Sequence, residues 1–181
     1  MAKTAFDEFV KRQQAASQIS GIDWTKQRDE WLAYLDQLYT LIEATLHEYI
    51  ASGQIRCSFK EIELNEEDIG SYVARQLVLK IGGQEIDFKP VGTLLIGMKG
   101  RVDVYGPAGT AIIVLVNSKA QGVHSLIHVS VSIDGTPPPP PPPEPSEDIK
   151  WEWKIVSRPE RRFLPLTADT LYNVILEVAN G

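Results

Sequence analysis

The sequence predicts an α+β fold in one domain: two N-terminal helices, the second one long, a mainly antiparallel sheet of six to eight short strands, and one C-terminal helix. Three observations predict it. Apolar residues recur at helical spacing between Trp24 and Tyr49. From Gln54 the spacing changes to two, the period of a half-buried strand. The later apolar runs are short and separated by turn residues, which leaves no room for crossover helices and favours antiparallel pairing. The many glycines suggest a sheet that is curved or barrel-like.

Phe6, Phe9, Val10 and Ala16 suggest a first amphipathic helix over residues 4–18, broken by Ser20 and Gly21. Asp23 is placed to cap the second helix, because its carboxylate can accept from the free amides of the first turn. Trp24, Trp31, Leu35, Leu38, Ile42, Leu46 and Tyr49 form that helix's stripe, and Gly53 is its expected left-handed terminator. Such a helix of about 28 residues spans roughly 42 Å. It would lie across the sheet, pack on the first helix, or pair with its copy in a homodimer.

Ile55, Cys57 and Phe59 alternate with polar residues, 65–68 reads as a loop and 72–81 as a strand. Gly82 and Gly83 supply a tight hairpin turn, and 84–88 returns. Further strands are expected at 93–98, 101–105, 110–117, 123–133 and 150–157. Seven prolines at 137–143 cannot join a ladder or a helix interior. Thr167 can cap a last helix with Leu171, Val174, Ile175 and Val178 on one side. Within the single domain, 1–181, the parts are therefore a helical part (1–53), a β part (54–133), a Pro-rich disordered loop (134–149) and a strand plus helix returning to the same core (150–181).

A net charge of −6 gives no long-range attraction to phosphate backbones and argues against a nucleic-acid partner. No run approaches the roughly 20 apolar residues of a membrane helix. Residues 1–10 hold no uninterrupted apolar region, so a secretory leader is not expected and the cytoplasm is. The single cysteine, Cys57, alternates with core positions and reads as a buried, inert thiol. The glycines form no phosphate loop, GxSxG is absent, and no cofactor motif is found. His124 and His128, four apart on a strand, would stand about 13 Å apart, too far to share a metal.

One stretch resembles the PD-(D/E)xK nucleases: Gly100-Arg-Val-Asp-Val-Tyr105, then a strand ending Val116-Asn117-Ser118-Lys119. The resemblance implies that Asp103 holds a divalent metal and Lys119 stabilises the attacking hydroxide or the transition state. Glu43 or Glu48 would stand for the acidic residue some of these nucleases carry on a helix. Asn117 occupies the place of the second acidic ligand, which removes one charge from a site for a hard cation. Without such a site, Asp103 would point outward from a strand and Lys119 would be a solvated turn residue.

Partner-binding candidates are Trp151 and Trp153, which could anchor a partner from an edge strand, and Arg158, Arg161 and Arg162, which could grip a phosphate or carboxylates. The polyproline run could fill an aromatic-lined groove. The leading reading is thus a non-enzymatic binding or assembly protein with a protein partner or a homodimer through the long helix. The alternatives are a divergent or degenerate metal-dependent nuclease around Asp103 and Lys119, and an adaptor presenting the prolines.

Overall fold

A computed structural model describes residues 3, 6–8, 10, 23–93, 97–123 and 149–180. Of the expected first helix, 4–18, only residues 6–8 and 10 are described, and they are helical, as is Lys3 before it. The expected strand at 123–133 and the prolines at 137–143 lie outside the described residues, except for Val123.

The long helix α1 runs Trp24–Thr45 and continues, after a turn at Leu46, as α2, His47–Ala51. No proline or glycine interrupts the run. The Asp23 side chain accepts from the Lys26 amide at 3.0 Å, which satisfies one of the free donors of the first turn. The Thr45 hydroxyl donates back to the Leu41 carbonyl at 2.8 Å, a contact that weakens and bends a helix where it occurs. The turn at Leu46 lies one residue further on. Gly53 ends the run with φ +78°, a conformation that disfavours any residue with a Cβ.

Seven antiparallel strands follow in strict sequence order: β1 (Ile55–Glu66), β2 (Gly70–Ile81), β3 (Gln84–Gly92), β4 (Met98–Tyr105), β5 (Thr110–Asn117), β6 (Trp151–Val156) and β7 (Phe163–Pro165). Helix α3, Ala168–Asn180, closes the described chain. The sheet is open, which corrects the expectation of a barrel. Closure requires the first and last strands to share a ladder. Here β1 offers 12 residues and β7 only three, and the apolar face is covered by α1 and α3 instead.

Of the expected strand at 93–98, Thr93 and Gly97 are described outside any strand, Met98 opens β4, and 94–96 lie outside the described residues. The ladder of β3 ends at Gly92, and Thr93 turns its amide and hydroxyl to the Glu66 carboxylate at 2.8 and 2.9 Å. A side chain thus takes the amide that would have extended the ladder at Thr93. Conversely, β7 arises in a segment that reads only as a link between β6 and the last helix.

The principal core packs Trp31, Leu35, Leu38, Tyr39 and Ile42 of α1 against Leu77, Leu79, Ile86, Phe88, Val102 and Val104 of the sheet. Leu171, Val174, Ile175 and Val178 of α3 join the same cluster. A smaller cluster of Val114, Val116, Ala120 and Phe163 covers part of the other face. That explains why β5 is apolar on both sides rather than alternating. In the first hairpin the ladder is regular from Ile55↔Ile81 to Glu66↔Gly70, yet the inward set changes from Cys57 and Leu79 to Leu64 and Tyr72. Because β2 pairs with β3 only from Leu77 to Ile81, the outer half is a two-stranded ribbon. Such ribbons twist strongly and turn their other face inward.

Candidate functional site

Val102 and Val104 point into the core, so Asp103 stands on the opposite face of β4. Its carboxylate is held by Arg101, with Nε–Oδ1 at 2.6 Å and a second guanidinium nitrogen at 3.1 Å from Oδ2. The Tyr105 hydroxyl adds a longer contact at 3.4 Å. Asp103 lies opposite Ile112 on β5. Asn117 is five residues further along, roughly 16 Å at the strand rise, and Lys119 lies beyond it. The structure therefore does not bring Asp103 together with Asn117 and Lys119. Glu43 and Glu48 belong to the helical layer on the other side of the sheet. Among the described residues no group of three His, Cys, Asp or Glu side chains is placed to hold a metal ion. His124 and His128 lie outside them.

The two tryptophans of β6 part company. Trp153 packs on the principal core, its ring 6.0 Å from that of Trp31, and donates to the Tyr34 carbonyl at 3.1 Å. Trp151 faces the Lys99 ammonium at 5.3 Å, and Lys99 lies equally close to the Tyr34 ring. The same ammonium donates to Glu30 at 2.7 Å, which holds the Glu30 carboxyl below its ordinary range. This cluster borders an open cleft that reaches Gln27. Strand β6 is flanked by β5 from Trp151 to Ile155 and by β7 from Lys154 to Val156, so among the described residues the stretch with Trp151 and Trp153 has a ladder on one side.

Arg158, Arg161 and Arg162 all lie exposed between β6 and β7. Arg158 donates to the Thr110 hydroxyl at 3.3 Å, while Arg162 pairs with Glu160 at 3.0 Å. Arg158 also borders a cleft of about 270 Å³ beneath α3.

Two features escape a reading of the sequence. The first is a buried polar network. Glu66, 8 % exposed, accepts from the Tyr72 hydroxyl and from both donors of Thr93. The Gln27 amide in turn donates to the Thr93 hydroxyl at 3.3 Å. Burial, then the Glu66 acceptor, pushes the Tyr72 hydroxyl well above its ordinary range. The Trp31 indole N–H stands beside Tyr72 and favours its anion slightly, yet makes no hydrogen bond of ordinary geometry. In sequence, Glu66 is one of several acidic residues before a turn, and nothing local marks it as buried.

The second feature is an apolar groove of about 350 Å³ between the end of the long helix and α3. Leu46, Ile55 and Ile175 form its floor, and Tyr49 and Leu176 stand at its lips. Leu176 lies outside the buried stripe of α3, and that is the one signal in the sequence that could have found it.

Neither feature contains an activated nucleophile. Burial first, then the neighbouring Glu43 carboxylate, pushes the Cys57 thiol up to about 11. It is therefore protonated near neutrality. Its S–H lies 3.6 Å from Glu43 Oε1. Among the described residues no helix is long and apolar enough to cross a membrane. Compared with protein-family models, with curated proteins and with solved structures, the chain matches none.

Proposed function

We propose that this protein is a non-enzymatic binding module that acts through protein–protein contacts, and that the groove between α2 and α3 is its docking surface. One observation carries the reading. Tyr49 is 44 % exposed and Leu176 57 % exposed, on facing walls of a groove whose floor is fully apolar. Single exposed apolar residues are ordinary, but an aromatic and a leucine converging over a shared apolar floor form the kind of pocket that anchors a partner. The long helix contributes only its end. Its stripe from Trp31 to Leu46 is buried against the sheet, so Tyr49, where the helix outruns that cover, is what remains for another molecule.

The test compares purified full-length protein with Leu176→Glu, Tyr49→Ala and, as a control at another exposed site, Val73→Glu. Each change falls on an exposed position and should alter stability by only about 0.5 kcal/mol. A protein partner that binds in purified form to wild type and Val73→Glu, but not to the two groove variants, supports the reading. Partners retained equally by all four proteins would refute it. Light scattering over a concentration series identifies the case in which the partner is a second copy.

A further inference from the structure

We infer that the cleft of about 270 Å³ beneath α3 is a second site, and that it takes a small zwitterion: a free α-amino acid with an aliphatic side chain. The cleft is separate from the groove and does not depend on it. The groove uses Tyr172, Ile175 and Leu176 of α3, whereas the cleft uses Thr170, Asn173, Val174 and Glu177. At 3.6 residues per turn these two sets fall on opposite flanks of the helix. The other wall of the cleft is the end of β6, with Ser157 and Arg158 after it. Ala111, Ile155 and Val174 reach the cleft from the principal core, and the exposed Leu164 reaches it from β7. An apolar lining is thus set between one cation, Arg158, and one anion, Glu177, on different elements.

Those two charges line one cleft without pairing. Neither Arg158 nor Glu177 makes an ion pair among the described residues. Glu160, the carboxylate nearest Arg158 in sequence, is taken by Arg162. Arg158 uses one donor on the Thr110 hydroxyl, and a guanidinium carries five. The side chains of Asn173 and Glu177, one turn apart on the same face of α3, make no hydrogen bond among the described residues. A ligand bearing both charges answers all three groups. Its carboxylate accepts from the guanidinium fork, and its ammonium donates to Glu177 and to the Asn173 carbonyl oxygen. A simple anion would instead face Glu177 across the cleft, and a simple cation would face Arg158. The volume lies just below the usual range of small-molecule pockets, about 300–1,000 Å³, which excludes large ligands. An α-amino acid carries both charges on one carbon and leaves its apolar end for Ile155, Val174 and Leu164.

The experiment titrates four probes into isotope-labelled full-length protein and follows the amide resonances of Ile155–Arg158 and Thr170–Glu177. The probes are L-leucine, isocaproate (which lacks the ammonium), isoamylamine (which lacks the carboxylate) and glycine (which lacks the apolar end). Leucine should bind with a Kd on the order of 1 mM, as suits so few atoms, and the other three about fivefold or more weakly. Arg158→Gln should weaken leucine by about fivefold and spare isoamylamine, and Glu177→Gln should weaken leucine similarly and spare isocaproate. Val73→Glu, on the β1–β2 ribbon, should bind leucine as wild type does. The amide spectrum of each variant shows directly that it is folded. Isocaproate binding as tightly as leucine, with both indifferent to Glu177→Gln, would overturn the zwitterion in favour of a simple anion. Isoamylamine binding as tightly as leucine, with both indifferent to Arg158→Gln, would overturn it in favour of a cation. No saturable shift with leucine at ten times the expected Kd, or shifts unchanged in both charge variants, would overturn the site itself.

Discussion

Gly100 of β4 lies flat against the indole of Trp31, so closely that a Cβ at position 100 would overlap the ring carbons. Trp31 is fully buried and its ring also packs at a tilt against that of Trp153, which leaves it little room to retreat. Gly100→Ala should therefore destabilise the protein by about 1–3 kcal/mol, the usual cost of overpacking a dense core. Gly109→Ala, at a position with open space around the missing Cβ and no positive φ, should change little. Urea unfolding of the two variants side by side checks the pair; equal midpoints would contradict the packing described.

The Glu66 carboxylate organises three donors in a dry setting. Glu66→Ala leaves the Tyr72 hydroxyl and both Thr93 donors without it, at about 1–3 kcal/mol for each buried group left unpaired. We expect a total loss of at least about 3 kcal/mol. Glu66→Gln keeps the shape and one good acceptor and should cost less than half as much. Midpoints of chemical unfolding at constant m-value read the difference. Similar losses for the two variants would mean that side-chain volume, not hydrogen bonding, is what Glu66 provides.

The Cys57 thiol supplies a pH prediction with a definite sign. Its folded-state pKa, about 11, is raised above the ordinary 9.0. The folded state therefore prefers the protonated form, and the stability this confers is complete below pH 9 and is lost as pH rises through about 11. Thiolate absorbance should titrate with a midpoint near that value. Glu43→Gln removes a repelling charge and should lower the midpoint. A thiolate already formed at neutral pH would show that Cys57 is not shielded as described.

Truncation at Pro137 removes β6, β7 and α3. These supply Ile155, Leu171, Val174, Ile175 and Val178 to the same core as Trp31 and Leu38. The ladder partners of Ile113 and Val114 would be lost as well. The shortened chain should show no cooperative thermal transition in near-ultraviolet circular dichroism. A sharp transition would mean that residues before the prolines fold alone.

The helices were legible because their signals are local. Asp23 caps where its spacing to the stripe says it should, Gly53 terminates, and the four apolar residues assigned to the last helix are its buried face. The Gly82-Gly83 hairpin is equally local. Strand edges were less legible. Where β3 ends is tied to Glu66, which lies 27 residues upstream of Thr93 and accepts its amide. Whether 163–165 is a strand depends on the free edge that β6 presents to it. Of the site residues chosen from sequence, Trp153 went into the core contact with Trp31, and Arg158 reached the rim of a cleft while Arg161 and Arg162 did not.

By itself, the sequence determined the long and the last helix, most of the strands, and that the pairing is antiparallel. Hydrophobic period, caps and turn glycines act over a few residues and need no partner. Only the tertiary structure decided which residues share a place. The register of β4 on β5 separates Asp103 from Lys119 by most of a strand, although they lie 16 residues apart in a hairpin that suggests proximity. The end of the long helix meets α3 across more than a hundred residues of chain and opens the groove at Tyr49 and Leu176. Such meetings are set by how layers pack and where one element outruns another, and no local spacing encodes them.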